Sequence, residues 1–320
     1  MGASNQLDRS AHGTVIDVSV PSALTTREPV AVQAALQCWC SAGEWSLCFR
    51  TPKFGLLRCS ACGCYQIDPP PLRGEEESAG FYTDYYAKAN TSPIQPKSRS
   101  MTKSAWFWRV AEKVPSLAEV RDTVVDIGSG DGHTCAELRA AGWPSVAGIE
   151  ISRTRMAHAQ RLYPEIKFYS CSLAETGIAQ ESLDLMVMDS VIEHLPNPVE
   201  MVRDLRRFLK PGGTIVFLTP NMDSGHFRFL GRRWTGMLAP HAHIFLFTAA
   251  ALSRALTNAG FVVSKTGSLH MPAYRPAEFI GRLASGDVKG AAWRAHQEIG
   301  GWYGRMIGAG PMLYAVANRT

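Results

Sequence analysis

From Thr123 onward the chain alternates short β-branched apolar runs with longer amphipathic stretches, the pattern of a parallel sheet covered by helices. The apolar runs predict strands at Thr123–Ile127, Ser145–Glu150, Lys167–Tyr169, Leu183–Met188, Thr214–Thr219, Phe261–Ser264 and Met312–Ala317. Helical spacing predicts helices at His133–Ala141, Arg153–Leu162, Pro198–Leu209 and Ala249–Ala259. Gly260 stands where a helix C-terminus favours glycine. Seven strands interleaved with helices define an α/β fold, a doubly wound and mostly parallel seven-stranded sheet. The most apolar run, Ile244 to Leu252, is too short to cross a bilayer and contains Thr248, so no membrane span is expected.

Upstream of Thr123 the pattern changes three times. Residues 1–35 mix Ser, Thr, Pro and Ala without periodicity and read as a flexible leader. Residues 36–71 hold a cysteine-rich module closed by Asp68-Pro69-Pro70-Pro71, a stiff extended exit. Residues 72–122 form a connector or lid with an acidic run (Glu75, Glu76, Glu77), an aromatic cluster (Phe81, Tyr82, Tyr85, Tyr86), prolines at 93 and 96, and a helical pattern from Met101 to Val114. Residues 123–320 are the α/β domain.

Composition narrows the class. The chain has 320 residues, 46% of them hydrophobic and 19% charged, which supports a sizeable core and excludes wholesale disorder. A net charge of +5 is too mild to indicate nucleic acid or a membrane as partner. The first twenty residues lack the basic start and apolar block of a secretory signal, and Gln6 stands where a myristoylation signal needs Ser or Thr, so the cytoplasm is the default compartment. Six of the eight cysteines fall between Cys38 and Cys64, an arrangement suited to reduced thiols on a metal rather than to a disulfide scaffold. Oligomeric state has no signature in the sequence.

The strongest local signal is Val124-Val125-Asp126-Ile127-Gly128-Ser129-Gly130-Asp131-Gly132, a buried strand running into a glycine turn that opens a helix. Glycines allow positive φ and let a ligand approach the main chain unhindered by a Cβ. Glu150 ends the next strand, twenty residues after Gly130. A dinucleotide fingerprint places glycine where this chain has His133, so a dehydrogenase fits poorly. The loop resembles motif I of class I S-adenosylmethionine-dependent methyltransferases. The segment Leu183 to Pro198, with Asp189-Ser190-Val191-Ile192-Glu193-His194, is similar to the fourth-strand region of the branch containing ubiquinone-pathway O-methyltransferases and sugar-modifying enzymes. Leu209-Lys210-Pro211-Gly212-Gly213-Thr214, Thr219-Pro220-Asn221 and Phe247 to Phe261 follow in that family's order.

The resemblance implies a Rossmann-like methyltransferase fold, S-adenosyl-L-methionine as cofactor and a small-molecule acceptor (sugar, lipid precursor or natural product) methylated at oxygen or carbon. It implies that Asp126, Gly128, Ser129 and Gly130 border the methionine part, that Glu150 takes the ribose hydroxyls, and that Ile151, Ser172, Leu173 and Asp189 complete the cofactor site. Two departures stand out. Cys171-Ser172 occupies the place of the acid that contacts the adenine amino group in much of the branch, leaving a serine hydroxyl or backbone groups to serve. Ser190 replaces a metal-binding carboxylate of some ubiquinone-pathway members, so no catalytic metal is expected.

The sulfonium is already activated, so catalysis needs mainly alignment and, for a hydroxyl or carbon acid, a base. His194, just past strand four, is one candidate, although Glu193-His194 fits a purely loop-holding role equally well. His241 and His243, two apart, could point to one side of an extended segment near the acceptor. Arg228, Arg232, Arg233 and Trp234 could meet an anionic substrate, and Arg203, Arg206, Arg207 and Lys210 read as a solvated face of the Pro198 helix. The segment 271–310, with Trp293, Trp302 and Tyr303, reads as a wall of the acceptor pocket.

Cys59-Ser60-Ala61-Cys62-Gly63 is a zinc knuckle, while Cys38-Trp39-Cys40 is an irregular second half. The layout resembles the amino-terminal zinc-binding region of several sugar-modifying methyltransferases, which implies structural Zn2+ on Cys38, Cys40, Cys59 and Cys62, with Cys48 and Cys64 as substitutes or spectators. The alternative is a metal-free knuckle. An alternative function is a zinc-module RNA-binding protein or RNA base methyltransferase, for which the mild charge and the lack of a basic-aromatic tract give little support.

Overall fold

The computed structural model describes residues 37–71, 103–270, 280–281 and 283–320. The leader, the acidic run, the aromatic cluster, Pro93 and Pro96, and the start of the Met101 helix lie outside the described residues. In chain order the elements are β1 (Trp45–Arg50), β2 (Gly55–Cys59), β3 (Tyr65–Asp68), α1 (Lys103–Ala111), β4 (Thr123–Ile127), α2 (His133–Ala140), β5 (Ser145–Ile149), α3 (Arg153–Leu162), β6 (Lys167–Tyr169), β7 (Leu183–Asp189), α4 (Pro198–Arg206), β8 (Leu209–Pro220), α5 (Gly225–Leu230), α6 (Thr235–Leu238), β9 (Phe245–Leu246), α7 (Ala249–Asn258), β10 (Phe261–Leu269), α8 (Val288–Met306) and β11 (Met312–Arg319).

The large sheet has the order β10-β11-β8-β7-β4-β5-β6. Strands β6, β5, β4, β7 and β8 run parallel, and β11 and β10 close the edge antiparallel. The seven-stranded, mostly parallel sheet read from the sequence is therefore present. Strand alternation sends side chains to two cores. Met186, Met188, Ile215 and Phe217 face one core with α4 and α7, while Leu185, Val187, Val216 and Leu218 face another that takes Phe107 and Val110 from α1 and Leu138 from α2. Residues 103–111, within the stretch read as a connector, thus lie under the sheet. Truncating one of these fully buried side chains to Ala costs about 2–5 kcal/mol.

The chain enters at β4, builds outward to β6, then returns to place β7 on the other side of β4. The crevice beyond the carboxyl ends of β4 and β7 is this topology's ligand position.

A second, four-stranded antiparallel sheet has the order β1-β2-β3-β9. Its fourth strand comes from far along the chain: Tyr65 and Gln66 pair with Leu246 and Phe245. The cysteine module is thus stitched to the segment leading into α7, and Cys38, Cys59, Cys62 and Cys64 share a core with the large sheet. Among the described residues, no helix is long and apolar enough to cross a membrane.

Candidate functional site

The glycine turn after β4 is built as its residue types require. Gly128 and Gly130 have φ of +74° and +59°, a region L side chains rarely adopt. A Cβ on Gly128 would lie 2.3 Å from Val191 Cγ2, so the bare main chain lets the segment after β7 press on the loop. Glu150 directly follows β5, is buried and bridges two backbone donors: Gly130 N–H donates to its Oε2 (2.8 Å) and Ser152 N–H to its Oε1 (2.8 Å). The carboxylate is thereby fixed at the crevice with lone pairs left to accept further hydrogen bonds. Arg155 on α3 holds Asp131 with two bonds, of 3.0 and 2.9 Å, over the outside of the loop.

The remaining expected cofactor residues are distributed unevenly. Asp126 and Asp189 are buried at the ends of β4 and β7. Ser190 Oγ donates to Asp189 Oδ1 (2.8 Å), and Ser190 itself has a φ of +57°, a strained backbone at the crevice. Ser129 is buried under the loop. Ile151 is exposed beside Glu150. Leu173 turns its side chain into the core, whereas Ser172 donates its hydroxyl to Glu175 Oε2 (2.6 Å).

Beyond β7 a buried polar cluster forms. Thr219 Oγ1 donates to Glu193 Oε2 (3.0 Å), and Ile244 N–H donates to the Glu193 carbonyl (2.8 Å). His243 Nε2 lies 4.0 Å from Glu193 Oε1, and its ring stands 4.8 Å from that of His194. His194 Nδ1 lies 3.0 Å from Ala242 O; a carbonyl only accepts, so Nδ1 carries the proton and Nε2 the lone pair. Burial, then the neighbouring His194, hold His243 well below the usual imidazole range, so it is neutral at physiological pH. Donor atoms of Glu193, His194 and His243 all lie within 4.8 Å of one another.

Two readings need correction. The His241 segment is not extended: Ala242 N–H and His243 N–H both donate to Ala239 O in a tight turn, which exposes His241 while burying His243. Lys210 is not on the Pro198 helix, which ends at Arg206; it lies on β8 and pairs with Asp184 at 2.9 Å. Trp293 and Trp302 on α8 are 48% and 61% exposed. Of the basic-aromatic group, Trp234 is buried and stacks on His226 with ring centroids 6.4 Å apart. Sequence reasoning missed Thr219 as a partner of Glu193, because that contact joins β8 to the turn after β7, 26 residues apart, and has no local signal.

The second cluster lies at the tip of the β1–β2 sheet. Cys38 Sγ is 3.5 Å from Cys62 Sγ, Cys40 Sγ is 3.4 Å from Cys38 Sγ and 3.6 Å from Cys59 Sγ, and all four sulfurs lie within 4.8 Å of one another. These are not disulfide distances; sulfurs on a tetrahedral zinc with bonds of about 2.3 Å stand about 3.8 Å apart. Hydrogen bonding from Cys38, then Cys64, lowers the pKa of the Cys62 thiol, while the same contact with Cys62 raises that of Cys38, as expected of close-packed sulfurs that share protons. The Cys64 thiol donates to Leu246 O (3.3 Å) and Cys48 sits on β1, so neither joins the four. The irregular half of the knuckle therefore converges with the regular half on a donor set that can hold structural zinc.

With this geometry in view, the comparisons with known proteins are consistent. A family model described as "Methyltransferase domain" matches residues 99–266, just over half of the chain. A Mycobacterium tuberculosis (strain CDC 1551 / Oshkosh) protein named "Probable S-adenosylmethionine-dependent methyltransferase MT3114" is 31% identical over 174 residues, 53% of this chain and 61% of that protein. The chain spans about three fifths of the length of the curated relatives it matches first. Geranyl diphosphate C-methyltransferase from Streptomyces coelicolor A3(2), solved with Mg2+, geranyl diphosphate and S-adenosyl-L-homocysteine, shares the fold at a TM-score of 0.51 and 16% identity, over 79% of this chain and all of that one (100%). The [4+2]-cyclase SpnF shares it at a TM-score of 0.51 and 17% identity, over 78% and 98%. The chain belongs to the methyltransferase domain family, whose members among its relatives carry S-adenosylmethionine-dependent names. The cyclase shows that this fold alone does not fix a reaction.

Proposed function

We propose that this chain transfers the methyl group of S-adenosylmethionine to an oxygen or carbon of a small-molecule acceptor, a sugar, lipid precursor or natural product. The observation that carries the reading is the clasp at the topological switch point: Glu150 fixed by Gly130 and Ser152 main chain, facing a loop that Val191 meets on the other side. In this reading Glu150 accepts the ribose hydroxyls, Asp126, Gly128, Ser129 and Gly130 border the methionine part, and Asp189 and Ile151 flank the nucleoside. The Ser172 hydroxyl, its proton given to Glu175, keeps lone pairs for the adenine amino group.

The cofactor supplies an activated methyl group; the chain supplies alignment and a proton acceptor. His194 takes the acceptor's proton on Nε2, since Nδ1–H is held by Ala242 O. Glu193, buried and tied to Thr219, sets the height of the turn that presents His194. His241, exposed, and His243, buried and neutral, stand at the rim and beneath the base respectively. The four cysteines bind structural zinc. A panel of hydroxylated and carbon-acid acceptors, assayed for released S-adenosylhomocysteine, tests the reading: turnover that needs His194 is expected, and turnover confined to RNA would replace the small-molecule acceptor with a nucleic-acid one.

A further inference from the structure

The late insert presents an apolar face away from the body of the protein. The inner side of α8 packs on α5, where a Cβ on Gly225 would lie 2.3 Å from Gly304 Cα, so the helix is held tightly on glycine contacts. Its outer side carries Val288, Ala292, Ala295, Ile299, Trp302 and Met306, at alternating steps of four and three that form one stripe. Val288, Ile299, Trp302 and Met306 are 64%, 47%, 61% and 61% exposed. Eight of the fourteen exposed large hydrophobic residues among those described fall between Ile280 and Ile307, a clustering that marks an interaction face rather than scattered surface residues.

We propose that this stripe is the seam of an antiparallel helix pair formed with a second copy of the chain. The spacing reads the same in both directions about position 297, so a two-fold axis there places Val288 against Met306 of the partner subunit, Ala292 against Trp302 of the partner subunit, and Ala295 against Ile299 of the partner subunit. Every layer then pairs a smaller side chain with a larger one, which fills space evenly. A parallel pair would set Trp on Trp and Ala on Ala, leaving a clash and voids. A bilayer is matched less well. Glu298, 4.0 Å from Arg305, sets an acid beside the stripe, and the two-alanine notch serves no purpose in lipid. One helix pair is a small interface, so the association is weak, in the micromolar range.

Sedimentation equilibrium of the full chain tests this with Ala292→Trp, Trp302→Ala and the double swap, all on the exposed face. The average mass of the unaltered chain is expected to rise from one chain toward two across the micromolar range. Each single variant should weaken association by roughly tenfold, one by overpacking and one by leaving a void. The double swap should restore it, because an antiparallel seam exchanges the two positions. Circular dichroism and S-adenosylhomocysteine affinity should stay unchanged in all three. A monomer throughout, or a swap without rescue, overturns the pairing. So does tighter binding of Ala292→Trp to phosphatidylglycerol vesicles with no self-association, which would assign the face to lipid.

Discussion

The crevice beyond β4 and β7 and the cysteine cluster differ in what positions their functional atoms. In the crevice, Glu150 and the glycine loop ride on the ends of strands buried on both faces, and main-chain donors aim the carboxylate. The apolar cores behind them fix the geometry before any ligand arrives. In the cysteine cluster a turn and a hairpin carry four side chains whose sulfurs face one another, at the edge of a core they share with the large sheet. Several contacts join the two regions, among them a shared core and a bond from Arg254 to Ala61 O (2.8 Å), and one short piece of chain links them to Glu193. β9 pairs with β3, Ile67 N–H donates to Ile244 O, and Ile244 N–H donates to the carbonyl of Glu193, next to the proposed base. The comparison teaches that residues 244–246 connect the small sheet to the turn carrying Glu193 and His194, while Glu150 is held by main chain on the far side of β4.

Breaking the metal side should give the largest effect. Chelation, or Cys59→Ser, should remove on the order of 10 kcal/mol of local stabilisation. The half-buried Trp39 and Trp45, packed beside the cluster, should report it as an early fluorescence transition. Elemental analysis of the folded protein should find one zinc per chain; metal-free protein with an unchanged melting curve would contradict the assignment. Cofactor affinity should survive while turnover falls, because the strut to Glu193 is lost.

On the chemical side, His194→Gln should lower kcat by about 10²–10⁴-fold with cofactor affinity unchanged, the range for removal of a general base. The loss of the acid limb from the pH–rate profile would separate a base from a merely structural histidine. Gly128→Ala should cost roughly 2 kcal/mol of stability, since φ is +74° and the new Cβ meets Val191 at 2.3 Å, and chemical denaturation would measure it. The same change should weaken the cofactor more than it affects the cysteine transition.

The smallest effect is a pH slope. Burial lowers the folded-state pKa of both His243 and His226 below the ordinary imidazole value. Above about pH 6.5 both are neutral in the folded and unfolded chain and contribute no slope. Below it the unfolded chain binds protons that the folded chain refuses, so stability falls as pH drops toward the folded pKa values. Melting temperatures between pH 7.5 and 5.5 should decline accordingly, and His243→Gln should flatten part of the decline.

Much of this was legible because the parallel strands are near-continuous apolar runs with local punctuation. β4 and β6 match their expected bounds, and the glycine loop, being contiguous, needs no tertiary information. Strand ends were harder. β8 begins at Leu209 rather than Thr214, since Leu209 already pairs with Leu183 of β7 and the turn-like residues up to Gly213 are taken up in an irregularity before Thr214 pairs with Leu185. β10 continues to Leu269 through Lys265 and Ser268, polar residues that an edge strand paired only to β11 can expose. The histidine cluster was only half legible. His194 sits in a local motif, but the turn at Ala239, a non-glycine residue with φ of +35°, separates His241 from His243, exposing one and burying the other. β9, two residues pairing with a strand far upstream, carries no periodicity to read.

Isothermal titration of S-adenosylhomocysteine into the full chain and into Glu150→Ala tests the central claim most directly. The account expects one-to-one binding that the substitution weakens roughly 30-fold, the loss of hydrogen bonds to a charged acceptor. Absence of binding, or equal affinity in the variant, would contradict it.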